Sequence, residues 1–287
     1  MNVKVAITNQ ANELYEILEW KYNDGSKIIE RNFEANYKGF LLLDDDQFPS
    51  NDFSLNTDYI GPFRKTPERS YSRHTIYGLD KFGIHGENAY SFLIQDSLTV
   101  EQNLINKVSG WYEENFEGWG VVVNSEKAPF YQVELSRENS GLSVNIKDVG
   151  QGMSQALPLV TRAMMPTDSE TLIILEQPEL HLHPAAHANL AELFVQSVKD
   201  DINKKYLIET HSQNFLLRLR RLVAEGGVKK EDLQLYFVDF DEDSGVSQLK
   251  AIEVDDNGEV SFWPDGIFNE SYEEARAIIR AQKKNRS

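Results

Sequence analysis

No cysteine occurs among the 287 residues, so disulfide bonds and thiolate metal sites are excluded. This absence fits a reducing compartment. The sequence also has no apolar run long enough to cross a bilayer. Its first residues lack the basic and apolar regions of a signal peptide. Together these absences predict a cytoplasmic protein that does not associate with a membrane.

Positive charge is scarce as well. Lysine and arginine number 29 against 46 aspartates and glutamates, which gives a net charge of -17. This excess of acid repels nucleic-acid backbones over most of the surface, so DNA binding is an open question that the net charge does not support. One basic cluster fits a phosphate or DNA contact and internal salt bridges equally well: Arg64, Lys65, Arg69 and Arg73. A second cluster alternates with leucines and predicts a solvated helix face: Arg218, Arg220 and Arg221.

A phosphate-binding loop is the third absence. The sequence contains no G-x-x-x-x-G-K-[ST], and Gly25-Ser26-Lys27 has the wrong order and lies in an expected hairpin. Such a loop cradles the β- and γ-phosphates of a nucleotide with its lysine and its backbone N–H groups. We therefore do not expect these residues to grip a nucleotide by themselves.

Enough apolar residues are present, 40%, for one large domain or two modest ones. Residues 54–95 are rich in Gly, Pro, Arg and Tyr and predict irregular structure. Alternation and turn signals predict the first strands at 3–7, 14–20, 27–33 and 39–43. Further along, we expect a helix over 98–116, then strands near 119–123, 130–135 and 142–146.

After residue 150 strands and helices alternate, which predicts a parallel α/β sheet. We expect helices over 154–164, 184–198, 212–224 and 272–284, and strands over 171–175, 206–209, 233–239, 249–254 and 260–263. Leu190, Leu193, Phe194 and Val198 would form the inner face of the second helix.

The segment LIILEQPELHLHP, residues 172–184, carries the strongest chemical signal. An apolar strand ends in Glu176, and a second acid, Glu179, follows three residues later. Open α/β sheets bind ligands at the carboxyl ends of their strands. A carboxylate in that place holds Mg²⁺ directly or through water. We therefore predict that Glu176 is a metal ligand.

Two further segments have the composition of phosphate sites. In DVGQGMSQALP, residues 148–158, Gly150 and Gly152 allow a tight turn, and Ser154 and Gln155 are expected to open a helix. The N–H groups of a helix N-terminus suit a phosphate. In IETHSQ, residues 208–213, a strand delivers His211 to its end, where an imidazole reaches a γ-phosphate or its attacking water.

Each segment alone has a commonplace structural interpretation, but their order and spacing together favour an ATPase. The sequence resembles ABC-type ATPases of the SMC, RecF and OLD group. It is most similar to bacterial predicted ATPases with a "GxGxSQxLP" signature, an "EQPExHLHP" Walker B strand and a C-terminal "WPxGxF" module. YIGPFRKTPER, GENA and WPDGIF also resemble that subfamily. The resemblance covers roughly residues 55–287 and is most specific over 148–213.

The resemblance implies a role for each matching residue. A signature loop that caps nucleotide held by a facing protomer would consist of Gly150, Gly152, Ser154 and Gln155. Glu176 would occupy the Walker B metal position, and His211 would be the switch histidine. His183 falls at the D-loop aspartate position. Gln177 falls where many relatives have a catalytic glutamate; an amide is no base but can orient a water, and Glu179 is the other candidate for a base.

The implied fold is an α/β P-loop NTPase core of the ABC class, incomplete at its N-terminus. It has a mainly parallel sheet, flanking helices and a strand-rich lobe. We expect this lobe, with a helical insertion, in residues 1–145. The signature, Walker B and switch-histidine lobe would follow in 146–240, and a small C-terminal module in 241–287.

The implied function is an ATPase head that uses ATP and Mg²⁺ in a homo- or hetero-dimer. Another protomer or a separate chain would supply the phosphate-binding loop, so the isolated chain is expected to be inactive. The family is associated with genome maintenance and with defence against phage and plasmids, which brings in a nuclease or effector as partner.

Three alternatives stay open. The chain could be a non-catalytic module that binds a partner or senses nucleotide. The pattern H-x-H-x₃-H formed by His181, His183 and His187 could hold a metal in a hydrolase. A serine hydrolase built on Ser154 is weaker, because the last glycine of the nucleophile elbow is missing.

Overall fold

The computed structural model describes residues 7–10, 14–17, 20–23, 28–31, 56–77, 81–137, 140–241, 245–264 and 270–284. The chain divides into two compact units, Met1–Leu55 and Asn56–Ser287. The first unit contains two antiparallel pairs: β1 (Ile7–Gln10) with β2 (Leu14–Ile17), and β3 (Trp20–Asn23) with β4 (Ile28–Arg31). The pairing of β3 with β4 confirms the hairpin expected near residue 24. The strand expected at 39–43 lies outside the described residues.

The second unit combines parallel and antiparallel strands with helices. Its strands are β5 (Asn56–Ile60), β6 (Tyr71–Ser72), β7 (Gly120–Asn124), β8 (Phe130–Arg137), β9 (Leu142–Asn145), β10 (Thr171–Glu176), β11 (Lys204–Glu209), β12 (Leu235–Asp241) and β13 (Val246–Ile252). Its helices are α1 (Ala89–Ser97), α2 (Asn103–Asn115), α3 (Gln151–Met164), α4 (Pro184–Asp200), α5 (Gln213–Ala224) and α6 (Glu270–Lys284).

A three-stranded parallel sheet, in the order β11-β10-β5, forms the centre of this unit and confirms the expected α/β class. Side chains alternate along β10. Ile173 and Leu175 are buried in a core that they share with Leu157 of α3 and Leu190 of α4. The opposite face of the sheet, which carries Tyr59 and Leu207, is more exposed.

The antiparallel sheet contains β6, β8, β7 and β9, with β8 pairing all three of the others. Helix α2 packs on β7. Val108 of α2 and the inward-facing Val133 and Leu135 of β8 are completely buried. The strands expected near 119–123, 130–135 and 142–146 are therefore confirmed, and they form the strand-rich part of the unit.

Several expected boundaries are wrong, each for a local reason. Residues 54–95 are not wholly irregular, because β5 and β6 lie within them and α1 begins there. The strand β5 has one buried apolar residue, Ile60, so its conformation depends on pairing with β10 rather than on its own pattern. Helix α2 begins at Asn103 rather than at 98. The Asp96 carboxylate accepts a hydrogen bond from the backbone N–H of Ile105, and residues 98–102 form the turn between the two helices.

Two expectations fail further along the chain. Val198 was expected on the inner face of α4, but it is partly exposed near the end of that helix. The strand expected at 260–263 is only an isolated bridge between Val254 and Val260. Within the described ranges, no helix combines the length and apolar character that crossing a membrane would require.

Candidate functional site

Three neighbouring strands deliver polar side chains to one edge of the parallel sheet. Glu176 ends β10 and lies opposite Glu209, the last residue of β11. Tyr59 on β5 lies near both acids. Burial, hydrogen bonding to Glu176 and the charges of Glu176 and Glu209 raise the pKa of Tyr59. The acid predicted at the end of the strand thus has a second acid beside it.

The loop that follows β10 is conformationally strained. Gln177 and His181 adopt left-handed backbone conformations, with φ of 43° and 69°. Neither residue is a glycine, so each left-handed backbone conformation costs about 1 kcal/mol or more in strain. Contacts with the surrounding structure must offset this strain. The backbone N–H of Gln177 donates to the Glu209 carbonyl at 2.8 Å, and its side-chain amide lies 3.5 Å from the Glu209 carboxylate. These contacts place Gln177 directly beside the acidic edge.

The buried residue Arg64 holds this loop through hydrogen bonds. It is 4% exposed, and its guanidinium donates to the carbonyls of Gln177 at 3.1 Å and Leu180 at 3.0 Å. Burial lowers the pKa of Arg64 to about 10, and the charge of Glu179 opposes that effect. The guanidinium therefore stays charged at neutral pH, and it satisfies two carbonyls that the strained loop turns inward.

Glu179 belongs to the same buried group. Its Oε1 accepts a hydrogen bond from the backbone N–H of His211 at 2.7 Å. Its other oxygen and Nε of Arg64 have no hydrogen-bond partner among the described residues. The Glu179 carboxylate is buried and positions the His211 backbone. Its burial argues against Glu179 as the general base.

His211 itself points outward. Its side chain is 74% exposed, and Nε2 lies 3.9 Å from the Glu209 carboxylate. The structure therefore brings Glu176, Gln177 and His211 to one edge, with Glu209 between them. Sequence reasoning gave Glu209 no role, although it ends an apolar strand just as Glu176 does.

The signature segment is a helix start, but not where expected. Helix α3 begins at Gln151 with Gly150 as its N-cap, three residues before the predicted start. Ser154 and Gln155 are buried inside its first turns. The Ser154 hydroxyl donates to the Gln151 carbonyl, and the Gln155 amide donates to the Arg64 carbonyl, both at 3.2 Å. Because Ser154 is buried and its hydroxyl is hydrogen-bonded, it is not an exposed nucleophile. The exposed residues at the N-terminus of α3 are 150 and 151.

Gly152 serves the contact between this helix and the loop after β10. A Cβ at this position would lie 3.1 Å from the His181 carbonyl oxygen and 3.6 Å from a methyl group of Leu182. A side chain at this position would force the helix or the loop to shift by a few tenths of an ångström. Gly152 thus allows α3 to pack closely against the chain's own loop.

The other two histidines of the H-x-H-x₃-H pattern have structural partners. His183 is the N-cap of α4, and its Nδ1 accepts from the backbone N–H of Ala185 at 3.2 Å. The ring of His187 bridges the Ser212 hydroxyl at 2.7 Å and the Leu182 carbonyl at 3.2 Å. Among the residues that the structure describes, no group of three or more potential ligands could hold a metal. The histidine-based metal hydrolase therefore has no structural support.

Both basic clusters are largely occupied by internal contacts. Arg69 forms a bidentate salt bridge with Asp148, at 2.8 and 2.6 Å, and Arg64 is buried as described above. In the second cluster, Arg218 pairs with Glu192, and Arg220 donates to the Gly258 carbonyl at 2.8 Å. These contacts favour internal salt bridges over a phosphate-binding surface.

The residues at the acidic edge fit a hard cation. Glu176 is only half-buried, and Glu209 beside it is exposed, so carboxylate oxygens face solvent. Oxygen donors of this kind are what Mg²⁺ prefers. The described contacts at this edge include no lysine or arginine that would hold a triphosphate, so the edge fits the metal part of a nucleotide site and not the whole of it.

A parallel sheet whose central strand ends in an acid is typical of ATPase-type α/β domains. Residues 7–216 match the family model described as an AAA ATPase domain, and the chain belongs to this family. Residues 228–278 match a second model, described as a protein of unknown function (DUF3696). No curated protein matches the sequence.

Solved structures of SMC proteins are distantly similar. An SMC ATPase structure from work on ATP-driven dimerization and DNA-stimulated activation is 13% identical, with 66% of this chain and 97% of that one covered and a TM-score of 0.42. The Smc head of Pyrococcus yayanosii is 13% identical, with 59% and 29% covered and a TM-score of 0.39. An Smc head bound to the C-terminal winged-helix domain of ScpA is 12% identical, with 58% and 50% covered and a TM-score of 0.41. The chain spans half or less of the last two proteins, and likeness at this level carries no information on their partners or activity.

Proposed function

We propose that this ATPase domain contributes one half of a composite nucleotide site. The observation that carries the proposal is the convergence of Tyr59, Glu176 and Glu209 at the carboxyl edge of the sheet, with Gln177 and His211 beside them. Membership of the ATPase family supports a nucleotide as the ligand. The edge is where parallel α/β sheets bind ligands.

Each group at the edge has a distinct part in this proposal. Glu176 would hold Mg²⁺, which when bound neutralises phosphate charge. Gln177 would orient a water, and the position of its amide, 3.5 Å from the Glu209 carboxylate, supports this role. His211 is exposed and adjacent, so its imidazole can reach a phosphate oxygen. Glu209 lies within 3.9 Å of this imidazole, so it would bias the ring toward one orientation.

The remaining parts of the site would come from outside these 287 residues. A phosphate-binding loop would be supplied by a facing protomer or by a separate chain, in a homo- or hetero-dimer. In return, the N-terminus of α3, at residues 150 and 151, would face the nucleotide held by that protomer. Its exposed backbone N–H groups and positive dipole end suit a phosphate.

Turnover of Mg-ATP tests the proposal. We expect no turnover by the chain alone, and turnover when a candidate chain that carries a phosphate-binding loop is added. In that assembly Glu176→Gln should lower turnover by about 100-fold or more, since it removes the charge at the metal position. Glu170→Gln is the matched control, because Glu170 immediately precedes the same strand, at the end away from Glu176. Full turnover by Glu176→Gln would show that the metal assignment is wrong.

Gln177 supports a second candidate function, a module that senses nucleotide without hydrolysing it. An amide cannot act as the base that many related ATPases place at this position. In that case the complete assembly would bind Mg-ATP without turnover, and Glu176→Gln would weaken binding only.

The biological setting follows from the resemblance. We propose a role in genome maintenance or in defence against phage and plasmids, with a nuclease or effector as partner. Co-purification of the chain with the products of neighbouring genes would identify that partner. A search that found only housekeeping metabolic enzymes would contradict the setting and leave the ATPase proposal intact.

A further inference from the structure

One histidine connects two loops at the acidic edge. His187 lies in the first turn of α4 and is half-buried. Its Nε2 lies 3.2 Å from the Leu182 carbonyl oxygen, and its Nδ1 lies 2.7 Å from the Ser212 hydroxyl. Leu182 belongs to the loop after β10, which also carries Gln177, and Ser212 directly follows His211. A single ring therefore contacts both of the loops that bring polar groups to this edge.

The contacts of the ring fix the position of each hydrogen atom. A carbonyl oxygen only accepts, so Nε2 of His187 must carry a hydrogen and donate it to Leu182. In the neutral ring Nδ1 then carries no hydrogen and accepts one, so the Ser212 hydroxyl is the donor. The same hydroxyl oxygen accepts from the backbone N–H of Phe215 at 3.1 Å. The hydrogen bonds therefore run in one direction, from the start of α5 through the ring to the loop after β10.

These hydrogen bonds give the His211 backbone a second attachment. Its N–H donates to the Glu179 carboxylate at 2.7 Å. The next residue, Ser212, is buried and is held by His187. The backbone is thus held on both sides of the Cα from which the His211 imidazole projects. Because that imidazole is exposed, these backbone attachments do more than side-chain packing to set where it points.

The loop after β10 gains an attachment in the same way. Leu182 is buried and directly follows His181, one of the two residues with a left-handed backbone. Arg64 holds the earlier part of this loop through two carbonyls, and His187 holds its end. The strained segment is therefore fixed at both ends by polar, directional contacts.

We propose that His187 is a positioning residue for the nucleotide site proposed above, on which this inference rests. It acts on His211 through Ser212 and on the loop after β10 through Leu182. This role requires a donor and an acceptor in place of the two ring nitrogens, and a ring of the same size is not sufficient. Glutamine offers an acceptor oxygen and a donor nitrogen at the end of a side chain of similar reach. Phenylalanine keeps the ring and offers neither.

Nuclear magnetic resonance of the chain alone, without nucleotide, tests the positioning. The His211 amide proton should resonate downfield, because it donates to a carboxylate over a short distance. His187→Phe should move this resonance upfield, whereas His187→Gln should leave it near its wild-type position. The amide of Ile174, within β10, should stay in place in both variants and so verify that they remain folded. His74→Phe is the matched control, because His74 is exposed and outside the site, and it should move neither resonance.

The ring of His187 provides a second signature. Long-range nitrogen–proton spectra of the neutral ring should place its hydrogen on Nε2 and none on Nδ1. A hydrogen on Nδ1 would overturn the proposal. An unchanged His211 amide resonance in His187→Phe would overturn it as well, because the ring would then have no effect on the His211 backbone.

Turnover of Mg-ATP by the complete assembly measures the consequence. His187→Phe should lower kcat by about 10-fold and leave KM nearly unchanged, since misplacing a group beside the reacting atoms affects the reaction more than binding. His187→Gln should keep most of the wild-type kcat. Higher turnover by the Phe variant than by the Gln variant would show that the ring only fills space, and would overturn the proposal. An assembly whose wild type has no turnover would contradict the ATPase half-site, and the resonances of the chain alone would still decide whether His187 positions His211.

Discussion

The clearest energetic prediction concerns Lys204, a buried lysine at the start of β11. Its side chain is 3% exposed, and Nζ donates to the Ala163 carbonyl at 2.7 Å and to the Ser197 hydroxyl at 3.2 Å. Burial lowers the pKa of Lys204 from 10.5 to about 8; the charge of Arg162 adds to this effect, and that of Asp201, 4.0 Å away, opposes it.

The sign of the pH dependence follows from this lowering. Between about pH 8 and 10.5 the unfolded chain holds a proton on Lys204 that the folded chain has released. The free energy of unfolding therefore rises with pH across this window. Below pH 8 the full penalty of burying the charged amine is about 3 kcal/mol, since each pH unit corresponds to about 1.4 kcal/mol. From pH 7.5 to 9.5 we expect a rise of about 2 kcal/mol.

Urea unfolding at pH 7.5 and 9.5 and constant ionic strength measures this rise. Lys204→Met keeps a side chain of similar length without a titrating group, so the variant should lose the Lys204 contribution. Lys205→Met is the matched control, because the neighbouring lysine is 63% exposed and should leave the rise unchanged. Other titrating groups are common to the three proteins and cancel in the comparison. Equal rises in wild type and Lys204→Met would refute the reasoning.

Two further predictions concern the loop after β10. Gly152→Ala should lower the free energy of unfolding by about 1 kcal/mol, because the new Cβ meets a carbonyl of a strained loop. Gly110→Ala, in an open position on α2, should raise that energy by about 0.5 kcal/mol. Arg64→Met should cost about 2–4 kcal/mol, since it leaves the carbonyls of Gln177 and Leu180 without a donor, whereas the exposed Arg69→Met should cost much less. Urea unfolding measures the free energy of unfolding of all four variants. An equal change in that free energy within either pair would contradict the corresponding argument.

The central strand and its flanking helices could be predicted because their signals are local. An apolar run ended by an acid marks β10, and Pro184 marks the start of α4. The Ser212 hydroxyl accepts a hydrogen bond from the backbone N–H of Phe215 at 3.1 Å and caps α5, in agreement with the helix expected from residue 212. Each of these features is determined by residues within a few positions of one another.

What could not be predicted depends on contacts between distant parts of the chain. The strand β5 exists because its backbone pairs with β10, and its own sequence has no strand pattern. Arg64 lies 113 residues before Gln177, to whose carbonyl it donates, and no periodicity or spacing connects the two positions. Glu209 has no motif of its own, and its place at the edge depends on β11 pairing with β10.

The buried group around Arg64 connects the three recognisable segments to one another. The Gln155 side chain in α3 donates to the Arg64 carbonyl, the Arg64 guanidinium holds the loop after β10, and Glu179 in that loop holds the His211 backbone. Each link is buried or partly buried, so breaking any one of them leaves a polar group poorly paired and costs about 1–3 kcal/mol. The start of α3, the loop after β10 and the His211 backbone are therefore held in one fixed arrangement, because sliding any of these parts past the others would break the links.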